Sequence, residues 1–152
     1  MPIALARLLD AKLFLIFARI VLTFVFWGAG LGKLIDFQGG AAEMAYFGLE
    51  PAGPVNALVV ATLLVGSALV ILDRHAWLGC GMLAVFTALT IPLVHHFWSM
   101  NGEEALAHFH TAAEHVTVIG ALMVMAILSR RTSPKAVRAG ASGPAFADGR
   151  TG

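Results

Sequence analysis

Apolar positions gather into four long runs, residues 13–31, 55–72, 76–98 and 111–128, separated by stretches where charge, glycine and proline collect. The runs hold 19, 18, 23 and 18 residues and two formal charges between them, Arg19 and Glu114. At ~1.5 Å of rise per residue they reach ~27–35 Å, which matches a hydrocarbon core of ~30 Å. They are too long for strands, and the chain has no amphipathic shell that would bury them in a soluble protein. The pattern therefore predicts an all-α integral membrane four-helix bundle. The first run is too long for a signal-peptide core, carries Arg19 and lacks a fitting cleavage site, so it reads as retained.

The intervening segments refine this picture. Between Lys33 and Pro54, large apolar residues (Phe37, Met44, Tyr46, Phe47) alternate with Gly39, Gly40, Gly48 and Gly53. This predicts a short helix lying at the membrane surface in the first outer loop. The link from Asp73 to His75 is so tight that the second and third runs must form an antiparallel hairpin. Residues 1–12 read as an N-terminal segment, 13–128 as the transmembrane domain, and 129–152, rich in Gly, Ala, Ser and Pro, as a disordered tail.

Basic residues flank the ends that should face the cytoplasm. Arg7, Lys12, Arg74, Arg130, Arg131, Lys135, Arg138 and Arg150 lie on one side, whereas the other side has only Lys33 against Asp36, Glu43, Glu50, Glu103 and Glu104. Both termini are expected inside, and in a bacterial inner membrane the acidic loops would face the periplasm.

Composition agrees with the lipid assignment: 59% of residues are hydrophobic, 12% are charged, and mean hydropathy is +0.82. An ordinary soluble domain carries roughly 25% charged residues. A net charge of +1 excludes a nucleic-acid partner, whose binding needs a clear basic excess. The single cysteine, Cys80, excludes an internal disulfide or a paired-thiol centre.

Several residues stand out chemically. Arg19 lies about six residues inside the first run, where it either snorkels, pairs with Asp10 or Asp73, or holds a polar head group. Gly28, Gly30 and Gly32 would let a helix backbone or a flat ligand approach closely, with helix packing the plainer use. Five histidines, His95, His96, His108, His110 and His115, fall within 21 residues at one membrane face. Such imidazoles either hydrogen-bond the loop, exchange protons with a quinol, or ligate a metal or haem. No zinc-ligand spacing is present, so the site residues include no assigned metal ligand. His110 and Glu114 are one helical turn apart, and His108 and His115 two turns, which makes two faces rather than one. Pro92, one turn before His95, should open the last turn of the third run. Glu114 is expected one turn inside the fourth run, with His110, His115 or Lys33 as its partner.

The ordered set FVFWGAGLGKLIDF, AAEMAYFGLEP, LLVGSALVIL and VHHFW, followed by a fourth span, resembles the DoxX family of small four-helix membrane proteins. The resemblance covers residues 18–128. It implies an inner-membrane protein linked to quinone-dependent oxidoreductases or to membrane complexes handling oxidative and thiol stress. It also marks Arg19, the glycines with Lys33, and His95, Phe97 and Trp98 as site residues. Where the family usually has a Lys-Asn pair, at the start of the fourth span, this chain has Glu114 and His115. Two classes of function follow. One is a quinone-binding redox subunit that uses Arg19, Lys33, His95, His96, Trp98, Glu114 and His115; the other is a non-catalytic anchor for a partner enzyme.

Overall fold

The computed structural model describes residues 1–131, and among these the regular structure is entirely helical. The helices are α1 (Ile3–Leu9), α2 (Lys12–Leu22), α3 (Phe24–Ile35), α4 (Phe37–Tyr46), α5 (Ala52–Ile71), α6 (Ala76–Val94) and α7 (Gly102–Arg131), with a short 3-10 turn at Phe97–Ser99. Three of them, α5, α6 with its 3-10 extension, and α7, are long and apolar enough to cross a membrane. Helices α2 and α3 reach the same standard only together, as a broken span bent by 56°.

That bend corrects the expectation of an unbroken first span. It sits at Thr23, whose hydroxyl donates to the Arg19 carbonyl at 2.8 Å. The Ile20 carbonyl at the break accepts instead from the Trp27 indole N–H at 3.2 Å. In lipid a freed carbonyl must find a donor inside the protein, and Thr23 with Trp27 supplies that replacement.

The helix that carries the last apolar run is longer than that run and begins at Gly102, ahead of residue 111. Glu103 and Glu104 lie in the first turn, where negative charge suits the positive end of a helix, and Arg130 and Arg131 lie in the last. Hydropathy alone assigned this acidic turn to the loop. At the other end, residues 129–131 belong to α7, and the rest of the expected tail lies outside the described residues. The N-terminal segment contains α1, which the apolar pattern did not separate from its surroundings.

α4 is anchored at its N-terminal end. Asp36 caps it by accepting from the Gly39 N–H at 2.9 Å, and Asn56 of α5 donates to the Phe37 carbonyl at 3.2 Å. The spans then lie side by side in chain order: α3 packs on α5, α5 on α6 and α6 on α7, while neither α2 nor α3 makes an extensive contact with α7. The buried share falls from 33% in α5 to 22% in α6 and 17% in α7, so α5 is central and α7 forms an edge. Phe26, Leu63, Val70, Cys80, Leu83, Leu122 and Met125 form the shared core.

Candidate functional site

Polar chemistry collects at the two ends of α6. At the end where the hairpin turns, Arg19 is buried to 3% exposure and its Nη2 lies 2.9 Å from Asp73 Oδ1, while Asp73 keeps 47% of its side-chain surface. The contact is an ion pair without hydrogen-bond alignment, and Arg19 Nε has no partner. Asp73 and His75 both take the left-handed conformation, φ 55°, that closes the turn. Of the partners considered for Arg19, Asp73 is the one it meets. This places Arg19 ~28 Å, the length of the 19-residue α6, from the histidines.

At the far end, Pro92 offers no N–H to the Ala88 carbonyl, and α6 stops two residues later. The chain turns at His95, whose N–H reaches the Thr90 and Ile91 carbonyls at 3.1 and 3.0 Å. His95 Nδ1 stands 3.2 Å from His108 Nδ1, so one ring donates and the other accepts. The His115 ring meets His95 edge-on with 5.0 Å between centroids. His95, His108 and His115 therefore form one cluster between α6 and α7.

His96 faces elsewhere. Its Nδ1 is 2.7 Å from Ser99 Oγ, and that hydroxyl donates its hydrogen to the His96 carbonyl at 3.0 Å. The direction of the His96–Ser99 hydrogen bond follows the tautomer of the ring. Trp98 is exposed and stacks edge-on with Phe97, which in turn meets Phe109. Lys33 pairs with Glu43. Glu114, the other charge of the apolar runs, is exposed and meets none of the partners expected for it.

Two hollows adjoin this end. An apolar cavity of about 610 Å³ runs between α4, α5 and α6, with Val59, Gly81, Val85 and Leu89 along it and the Lys33–Glu43 pair in its wall. A smaller, more polar pocket of about 470 Å³ is lined by Tyr46, His96, Glu104 and His108. Phe47, Leu93 and Val94 line both, so the two adjoin across these side chains.

Of the three glycines expected in helix packing, only Gly30 is in a close contact. A Cβ there would come within 3.1 Å of Leu63 and Leu64, whereas at Gly28 or Gly32 it would meet nothing within 4 Å. The tight helix crossing lies instead at Gly79, where a Cβ would stand 2.6 Å from the Gly66 carbonyl oxygen. Asn56 and Ser67, both buried, were also missed. The available signal was their spacing: Asn56, Val60, Leu63, Ser67 and Val70 repeat at three and four residues along the buried stripe of α5.

The DoxX family model matches residues 14–96, more than half of the chain. The chain belongs to the DoxX family. Inner membrane protein YphA of Escherichia coli (strain K12) is 27% identical to it over 124 residues, covering 81% of this chain and 85% of that protein. No solved structure matches. The DoxX match runs from α2 through α6 and ends at His96, so His108 and His115, which complete the histidine cluster, come from beyond it.

Proposed function

We propose that this DoxX protein binds a quinone-type amphiphile, with the tail in the apolar cavity and the ring in the polar pocket, as a subunit of a redox or oxidative-stress complex. The adjacency of the two hollows, which share Phe47, Leu93 and Val94 as lining, carries this reading. Both volumes fall within the ~300–1,000 Å³ usual for ligand sites. An apolar groove beside imidazoles and a carboxylate suits a molecule with a long hydrocarbon tail and a hydrogen-bonding ring. A bound quinone would supply two-electron, two-proton chemistry. His108 would hydrogen-bond the ring and pass or receive a proton through its Nδ1 contact with His95, which in turn touches His115. His96 lines the polar pocket, and Lys33 with Glu43 borders the tail. Arg19 has no part in this site; it fastens the first span to the hairpin.

The chain is a multi-pass inner-membrane protein. The proposal includes four spans, with α2 and α3 as one. Their 11 and 12 residues, joined at 56°, still cover a chord of ~30 Å, enough for the hydrocarbon core. Both termini then face the cytoplasm, and α4 lies at the outer surface. A periplasm-active phosphatase fused after Gly152 is expected to be silent, and the same reporter inserted after Met100 active. Activity from the Gly152 fusion would reverse the orientation.

Quinone binding is tested with the purified protein in lipid nanodiscs, titrated with a decyl-chain benzoquinone. Gly81 lines the cavity, and a Cβ there meets nothing within 4 Å, so Gly81→Phe should fill the hollow without disturbing the helices. Affinity should fall at least tenfold, about 1.4 kcal/mol, in Gly81→Phe and in His108→Leu, but not in Gly28→Phe. Absence of saturable binding, or unchanged affinity in Gly81→Phe, would overturn the reading and leave the non-catalytic anchor in its place.

A further inference from the structure

Helix α7 has one face turned to α6, through His108, Ala112, His115 and Leu122. Another exposes apolar side chains, Phe109, Val116, Met123 and Ile127, as lipid requires. The third is also exposed but carries His110, Glu114 and Thr117 at helical spacing. With Arg130 at the inner boundary, Glu114 lies ~24 Å along the helix, inside a ~30 Å core, and His110 lies at the outer edge. The Thr117 hydroxyl is satisfied by the Ala113 carbonyl at 3.2 Å. Glu114 has no ion pair or hydrogen bond among the described residues. A carboxylate at that depth, aimed at hydrocarbon, is costly and calls for a partner. The partner cannot come from the first span, because α7 is the edge of the row of helices.

We propose that this face of α7 is the two-fold interface of a homodimer, in which Glu114 of each copy meets His110 of the other. A two-fold axis along the membrane normal sets the two α7 helices parallel at equal depth. An acid and a base one turn apart on the same face are then self-complementary, as an isologous contact requires. A helix from any other protein would have to bring its own base to that depth. Ala107, Thr117 and Ala121 on the same stripe let the two backbones approach. The proposal does not depend on what the cavity binds.

Thr117→Cys, made together with Cys80→Ser so that it is the sole thiol, is oxidised in native membranes and again after purification. A covalent dimer of twice the chain mass is expected in both settings, whereas Val116→Cys on the lipid face should give none. Glu114→Ala and His110→Ala should each reduce the dimer yield several-fold. The exchange His110→Glu with Glu114→His should restore it, which a merely misfolded variant would not do. Light scattering of the untagged wild type in mild detergent should give two copies per particle. A monomer by light scattering, cross-linking at Val116→Cys in preference to Thr117→Cys, or a cross-link only to a different protein would overturn the proposal.

Discussion

Asp73→Asn is expected to destabilise the protein more than removal of its partner does. The two ends of this ion pair differ in surroundings: Arg19 is buried to 3% exposure, while Asp73 keeps 47%. Neutralising Asp73 strands a guanidinium that water cannot reach, and breaking a buried pair this way costs about 3–5 kcal/mol. Arg19→Met keeps the apolar stem, removes the unpartnered Nε, and leaves a carboxylate already half in water, so its cost should stay below about 2 kcal/mol. Asparagine tolerates the left-handed backbone at position 73, so the substitution tests charge and not the turn. The double variant should resemble Arg19→Met alone, since the stranded charge is then gone. Thermal and denaturant unfolding in detergent, on the same four proteins, gives the comparison. Equal losses for both single variants would show that the guanidinium has another route to solvent.

Gly79→Ala should cost about 1–3 kcal/mol through one added methyl group. The new Cβ would lie 2.6 Å from the Gly66 carbonyl oxygen, 2.9 Å from Leu69 Cβ and 3.0 Å from Val70 Cγ2. The first two neighbours belong to backbone or its root, so relief requires α5 and α6 to separate. Gly66→Ala should be milder, because its closest neighbour is the end of the flexible Leu83 side chain. Gly28→Ala provides the control: it meets open space and gains helix propensity, so the melting temperature should hold or rise. A Gly79→Ala variant that melts with the wild type would mean that the hairpin crosses more loosely than this.

The three long apolar helices and the hairpin were legible because hydropathy over 18 or more residues reports the solvent, and the three-residue link at 73–75 leaves one way to connect two helices. The histidine cluster was legible as a concentration of imidazoles at one face. Which of them meet was not, because His95 sits where α6 has already ended and helical spacing no longer applies. Thr23 gave no warning of the 56° bend, since no proline or glycine marks it and the replacement donor, Trp27, lies a full turn beyond. The start of α7 was hidden because Glu103 and Glu104 look like loop to a hydropathy window and like a favourable first turn to the helix dipole. The glycine signal pointed to the densest motif, residues 28–32, while the close crossing used two isolated glycines on different spans, a pairing visible only once the hairpin is folded.

The Arg19–Asp73 pair also sets an order of events during synthesis. Asp73 is made 54 residues after Arg19. At ~5–20 residues per second the first apolar run therefore waits about 3–11 s before its counter-ion exists. During that interval the guanidinium can be solvated only by reaching back toward the head groups nearest the N-terminal end of α2, which holds that end at the membrane surface. When the hairpin arrives, its turn enters on the same side and takes over the charge. The arginine thus acts first as a tether for the nascent chain and only later as a fastener of the finished one, and a translational pause between the first and second spans would lengthen the vulnerable interval.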